Sequence, residues 1–393
     1  MDPAWRERDV RTEGDLRLVT RHELSTCPHW QTAFSDKLKD RRYYELLEDT
    51  VREGYDYRYF AVENSRREIF AVQPFFLLHQ DIVAGVPSGI THLVAAIRRL
   101  WPSFLMVRTL MVGCVAGAGH LDGGRDSGAL IADILAASIV SYAGRLKARL
   151  IVLKEFPASY RKSLHCFLAQ GFTRIPSMPM TVLNIEYANY EDYMRKALGR
   201  VTRRKLRQKF RAAARAAPIE LSIVTDVSAI VDEIYPLYVN VYNRSTLHFE
   251  KLTKEYFGRI GSVMQDKVLF FLWRQSDTLI AFTLCMIEGQ SFYAEYIGLD
   301  YRVALELHLY HYAVRDMISW AIANDFKWFR SSALNYDPKL HFRHRLDPID
   351  LYVRHTSPLM NAVLRYVLPL IEPTRYDETL KKFPNYRDLW AQH

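Results

Sequence analysis

The sequence predicts an α/β chain made of two copies of one mixed unit, and three observations predict it. Two β-hairpin patterns recur about two hundred residues apart. Each is followed by a strand, an amphipathic helix and a further strand, the order of a β-α-β crossover. The length of 393 residues also exceeds the size at which a single hydrophobic core usually stops growing, so two units account for it.

The first hairpin joins YRYFAVEN (57–64) to EIFAVQPFFLLHQ (68–80) through Ser65-Arg66-Arg67, with β-branched and aromatic runs either side of a polar turn. LMVRTLMVGCV (105–115) reads as the next strand. A glycine-rich loop, VGCVAGAGHLDGGRDSG (112–128), then leads into a helix with Leu130, Ile131, Ile134, Leu135 and Ile139 on one face. LIVLK (150–154) closes the crossover, and a helix over 158–170, ended by Gly171, precedes the strand PMTVLNI (179–185). The second half repeats the plan with KVLFFLWR (267–274), the turn QSDT and LIAFTLCMIEG (279–289). SFYAEYIGL (291–299) follows as a strand, and the crossover helix LELHLYHYAVRDMISWAIAND is striped by Leu307, Tyr310, Val314, Met317 and Ala321. KWFRSS (327–332), a helical turn near 336–345 and the strand PIDLYVRH (348–355) complete the unit. The chain therefore divides into a first unit over 1–187, a basic linking helix over 188–218, a second unit over 219–356 and an apolar or amphipathic extension over 357–393.

Hydrophobic residues make up 49% and charged residues 25%, a globular composition. The net charge of +9 and pI near 9.2 favour an anionic partner: nucleic acid, a phosphorylated cofactor or an anionic lipid surface. Cys27, Cys114, Cys166 and Cys285 are scattered without CxxC spacing, which suits a reducing compartment and argues against structural zinc. The first residues lack the apolar run of a signal peptide, and no window of eighteen uninterrupted apolar residues occurs. These points predict a cytoplasmic protein, peripheral on the inner face of the plasma membrane. In LGRVTRRKLRQKFRAAARAAP (198–218), Leu206, Phe210, Ala213 and Ala217 recur at helical spacing among many cations. Three uses stay open for that helix: a nucleic-acid grip, a membrane-surface helix, or a bridge between the halves. No zinc-finger, RRM-like or helix-turn-helix spacing supports sequence readout, so nucleic acid is not the expected main ligand, with tRNA the alternative.

This order of elements resembles the GNAT acyltransferase fold. YEDYMRKALGRVTRRKLRQKFRAAARAAPIEL resembles the segment that opens the second domain in Fem-type peptidyltransferases and related tandem-GNAT acyltransferases. IYPLYVNVYNRSTLHFEKLTKEYFGRI is similar to the paired helices of that family, WAIANDFKWFRSS to its helix-to-strand junction, and ALNYDPKLHFRHRLDP to its lysine-bearing loop and helix. The resemblance implies two tandem GNAT-like domains with central mixed sheets, the first degenerate and the second catalytic. It also implies direct attack of an amine on a thioester held against splayed strands before the crossover helix. The run from EYIGLDYRVALELHL to DLYVRH further resembles a bacterial group that includes the ceramide synthases, which implies acyl-CoA as donor, a sphingoid amine as acceptor and no metal.

Such a reaction needs a base for the ammonium, a polarised carbonyl and a proton donor for the leaving group. Glu295 is an acid inside an apolar strand, where desolvation raises proton affinity, so it is the expected base. Strand alternation sets it on one face with Tyr293 and Ile297, and Ala294 and Tyr296 on the other. His308 and His311, in the first turns of the crossover helix, titrate near working pH; His308 is expected to carry protons and His311 to contact the donor. The resemblance implies Tyr336 as the acid for the departing thiolate and Lys339 as a contact for phosphate or carboxylate. Arg302 with the helix dipole is the remaining phosphate contact, because GLDYRVALELHL lacks the superfamily's glycine loop. The glycines of 112–128 offer an alternative phosphate cradle. Tyr242, Tyr293 and Asp337 complete the expected substrate contacts.

Two stretches point to lipid: THLVAAIRRLWPSFLMVRTL (91–110), with Arg98, Arg99 and Trp101, and SPLMNAVLRYVLPLIEPTRY (357–376), broken by Arg365 and Pro369. The expected activity is amide formation from a long-chain acyl thioester and a lipophilic amine such as a sphingoid base. The alternatives are a Fem-like transferase dependent on aminoacyl-tRNA, and a non-catalytic scaffold that binds a lipid or polysaccharide precursor.

Overall fold

The computed structural model describes residues 14–81, 106–123, 128–214, 218–245 and 250–391. Arg98, Arg99 and Trp101 of the first lipid-pointing stretch lie outside the described residues.

The strands in chain order are β1 (Asp15–Val19), β2 (Asp56–Glu63), β3 (Ile69–Asp81), β4 (Met106–Val112), β5 (Leu150–Pro157), β6 (Thr173–Pro176) and β7 (Met180–Asn184). They continue as β8 (Ile219–Val224), β9 (Val268–Gln275), β10 (Thr278–Glu288), β11 (Ser291–Leu299), β12 (Trp328–Ser331), β13 (Arg345–Asp347) and β14 (Ile349–His355). They form two seven-stranded sheets, ordered β1-β2-β3-β4-β5-β14-β6 and β8-β9-β10-β11-β12-β7-β13. In each sheet the hairpin pairs antiparallel and the strands flanking the crossover helix, β4 with β5 and β11 with β12, pair parallel. The internal duplication read from the sequence is thus a repeat of topology.

One expectation is corrected. The sequence plan places PMTVLNI and PIDLYVRH each in its own half, yet β7 lies between β12 and β13 while β14 lies between β5 and β6. The halves exchange strands, and a boundary at 187 cuts through the second sheet. Pairing partners are chosen by sheet edges left open in space, which local periodicity does not encode. Buried Arg161 fixes one exchange, holding Asp350 of β14 through Nε at 2.7 Å and Nη2 at 3.1 Å.

The helix Gly128–Arg145 covers one face of the first sheet, burying Ile131, Ile134, Leu135 and Ile139. By length and composition it could cross a membrane, but this apolar character is that of a core helix. The helix Leu309–Ala323 plays the same part on the second sheet, with Val314, Met317, Ile318 and Ala321 buried. The other faces of both sheets meet in one continuous core. There the helices Arg41–Thr50, Val231–Arg244 and Lys254–Val263 bring Tyr43, Tyr59 and Phe76 of the first half together with Phe257, Phe270 and Phe282 of the second. The two units therefore fold against each other rather than as beads on a linker. The basic helix Arg200–Ala214 packs on the crossover helix through buried Leu206 and half-buried Phe210, with Arg200, Arg204, Lys205, Arg207 and Arg211 exposed. Its inner face thus packs on the second unit, against the crossover helix and the segment around Tyr190.

Candidate active site between the two sheets

β11 and β12 run side by side from Ser291–Trp328 to Ala294–Ser331 and then part. The parting coincides with a β-bulge: Cys285 of β10 faces Ala294 and Leu284 faces Tyr296, leaving Glu295 as the extra residue. Beyond the bulge β11 has a strand neighbour on one side only. The space opened there is part of a cavity of about 1560 Å³ lined from both halves, roomier than the ~300–1,000 Å³ of an ordinary small-molecule site.

The bulge also resets which side chains share a face. Tyr293 and Tyr296 both pack toward the core shared by the halves, whereas Phe292, Ala294, Ile297 and Leu299 pack toward the crossover helix. Strict alternation had set Tyr296 opposite Tyr293; the extra residue shifts the parity by one.

Glu295 lines the cavity, but it is not free. Its Oε2 lies 2.9 Å from Nζ of Lys39, and both side chains are buried. Lys39 also donates to the carbonyl of Ala116 at 3.0 Å. The ammonium fits only because residue 117 is glycine: a Cβ there would lie 1.7 Å from Lys39 Nζ, and the backbone holds φ at +105°. The carboxylate is thus held by a buried ion pair and is not presented free to a substrate. Nothing local in the sequence signals this pair, whose partners lie 256 residues apart.

Glu250 fits the base role better, and the sequence reading missed it. It lines the same cavity, and its carboxylate accepts the Tyr296 hydroxyl at 2.6 Å. Burial raises its pKa, and Lys154 only partly offsets this. The position of Tyr296 beside the bulge is what brings Glu250 to the split.

Lys339 is also buried at the cavity wall. Its Nζ donates to the carbonyls of Ser332 and, at 2.8 Å, Leu334. Both lie in the loop after β12, where Leu334 and Asn335 adopt left-handed backbone (φ 70° and 49°). Burial pulls its pKa down to about 7. Tyr336, the expected acid, is buried and donates to the Pro179 carbonyl at 2.8 Å, which pins the lead into the exchanged strand β7; burial raises its pKa. Its hydroxyl thus serves the strand exchange. Tyr242, Tyr293 and Asp337 line the cavity.

Three expected residues do not converge on the cavity wall. Arg302 is 83% exposed at its side chain and turns onto Asp300 at 2.7 Å. That carboxylate also accepts the Arg302 backbone N–H, so the turn is closed on itself rather than open to a phosphate. His308 sits in left-handed backbone just before the crossover helix, with its pKa lowered by burial and by Lys209. His311 meets Lys209 at 2.7 Å, and burial, then Lys209, push its pKa down to about 4. The histidine pair faces the basic helix because the helix begins at Leu309, later than its apolar stripe suggested. Among the described residues no cluster of ligands suits a metal.

The described part of the first half's glycine loop lines the same cavity through Gly117, Ala118, His120 and Gly123. Its glycines permit close packing: a Cβ on Gly119 would lie 2.5 Å from the Lys154 carbonyl. The Asp122 carboxylate ties the loop down by accepting the amides of Val72, at 2.7 Å, and Gly123, at 2.9 Å.

A family described as FemAB-like, peptidoglycan biosynthesis/recognition, matches residues 130–336, more than half of the chain. Among solved structures, FemX is similar at 12% identity over 86% of this chain and 96% of its own, with a TM-score of 0.51. L-PGS from Bacillus licheniformis is similar at 10% identity over 86% and 97%, TM-score 0.48. A tandem GNAT protein of the clavulanic acid biosynthesis pathway is similar at 10% identity over 88% and 99%, TM-score 0.46. No curated protein matches the sequence significantly. The likeness to FemX is one of fold, and with the duplicated sheets it establishes the expected tandem GNAT-like architecture.

Proposed function

The chain belongs to the FemAB-like family, and on that premise we propose that it forms an amide by passing an activated aminoacyl or acyl group to an amine at the split between β11 and β12. The observation that carries this reading is the bulge-opened cavity, which presents buried Lys339 and Glu250 to one space. The donor we favour is an aminoacyl-tRNA and the acceptor an amine of a peptidoglycan precursor. Family membership supports both. The exposed cations Arg200, Arg204, Lys205 and Arg211, none paired with a carboxylate among the described residues, suit a phosphate backbone. The acyl-CoA and sphingoid-amine reading has no comparable support, since Arg302 is engaged with Asp300.

In the proposed step the acceptor amine, its proton taken by Glu250, attacks the ester carbonyl. The C–N bond forms, the C–O bond to the donor breaks, and the departing oxygen takes up the proton that Glu250 removed from the amine. Lys339, as an ammonium, stabilises negative charge on the carbonyl oxygen. Glu250→Gln is expected to lower the transfer rate by about 10²–10⁴ with an unchanged melting temperature, since it keeps the shape and loses the base. Near-normal single-turnover rates in that variant remove Glu250 from the step.

The donor is decided by incubating the purified chain with charged tRNA or long-chain acyl-CoA, each offered a muramyl-peptide amine and a sphingoid base, and weighing the products. Amide from charged tRNA supports the assignment. Amide from acyl-CoA alone overturns the donor, and no amide from either overturns the transferase reading.

A further inference from the structure

The helix Pro358–Ile371 has no buried residue. Leu359 is 74% exposed, Tyr366 76% and Leu370 63%, and Met360, Val363 and Ile371 are exposed beside them. A monomer rarely leaves so many large apolar side chains on one short helix in water. The helix is nonetheless held in a defined place. Asn361 Nδ2 donates to the Gly171 carbonyl at 2.9 Å, its Oδ1 accepts the His355 amide at 2.9 Å, and half-buried Leu364 and Leu368 face inward. Beyond it the chain is anchored again, with Glu372 buried and its carboxylate accepting the Trp390 indole N–H at 3.0 Å. The apolar face is thus presented by a fixed scaffold.

What surrounds the face is cationic. Thr356, two residues before the helix, donates its amide to the Arg149 carbonyl at 2.9 Å, so the turn after the helix Gly128–Arg145 lies beside the helix start. Arg145, Lys147 and Arg149 of that turn are exposed, as is Arg365 on the helix itself. No carboxylate among the described residues pairs with any of the four. Exposed tyrosines, Tyr366 on the helix and Tyr376 after it, supply the amphipathic rings favoured at a lipid–water boundary.

From this juxtaposition of an unburied apolar helix face with unpaired cations at one end of the first sheet, we infer that the helix Pro358–Ile371 docks the protein in the plane of an anionic lipid bilayer. The apolar side chains enter the acyl boundary while Arg145, Lys147, Arg149 and Arg365 meet lipid phosphates. A second copy of the chain is the weaker occupant, because it would bring the same four cations together.

The inference is tested with the full chain by co-sedimentation, a binding readout independent of any transfer reaction. Wild-type protein is expected to pellet with vesicles of phosphatidylglycerol and phosphatidylcholine in equal parts, and to stay in solution with phosphatidylcholine alone. The triple variant Leu359→Glu, Val363→Glu, Leu370→Glu is expected to lose at least about tenfold in partitioning. Lys147→Ala with Arg149→Ala is expected to lose about fivefold per charge at low salt and much less at high salt. All five side chains are exposed or nearly so, and unchanged circular dichroism certifies folding. The inference is overturned if wild type ignores the anionic vesicles, if the triple variant binds as well as wild type, or if light scattering shows a dimer that the triple variant dissolves.

Discussion

Lys39→Met is expected to cost about 3–5 kcal/mol of folding stability, read from the denaturant midpoint, because it leaves Glu295 buried without its counter-charge. The double variant Lys39→Met, Glu295→Leu is expected to recover most of that loss, since no unpaired charge remains. Recovery separates a linking pair from a catalytic carboxylate: the double variant would be stable and, with Glu250 as base, would retain turnover. The pH dependence follows from the same contact. Burial pulls the Lys39 ammonium down, and Glu295, together with Cys114 and Glu250, more than offsets it, leaving the folded pKa raised. The stabilisation is therefore complete below the unfolded value near ~10.4 and is lost as pH rises through the folded pKa. A wild-type melting temperature that falls no faster than that of the double variant in strong alkali would remove the pair from this role.

Lys339→Met is expected to lower transfer by about 10²–10³ without unfolding the chain, the scale of losing one preorganised donor to a developing oxyanion. Burial sets the ammonium at about 7, and the charged form does the work, so the wild-type rate should fall as pH rises through that value. Lys339→Arg stays charged throughout and, where it retains turnover, should lack this limb. Stability moves the other way. The folded pKa lies below the unfolded value, so the unfolded chain binds more protons between about 7 and ~10.4, and wild-type stability rises with pH across that window. The methionine variant should lack that slope. A wild-type rate indifferent to pH in this range, with a methionine variant of near-normal turnover, would make Lys339 a loop brace for Ser332 and Leu334 only.

Of the proposed site, the part that sits on regular strands and helices was legible. Tyr293 and Glu295 are marked by the apolar periodicity of their strand, Tyr336 and Lys339 by the family resemblance of ALNYDPKLHFRHRLDP, and each reaches the cavity. What local pattern does not show is a partner from far along the chain: Lys39 for Glu295, and the Pro179 carbonyl for Tyr336. His308 and Arg302 were misplaced for a nearer reason. The segment between β11 and the crossover helix is a run of turns closed by Asp300, and a helical stripe read through it puts the helix start too early.

The sequence by itself determined the duplicated α/β plan, the hairpins, both crossover helices and the cationic linking helix, because those depend on periodicity and turn chemistry within short windows. Tertiary structure alone decided the exchange of β7 and β14, the bulge at Glu295, the buried pair with Lys39 and the meeting of Glu250 with Tyr296. Each of these depends on which open edge or unpaired charge is nearest in space. No local pattern records that, because burial of a charge and vacancy of a sheet edge exist only once the two halves have closed on each other.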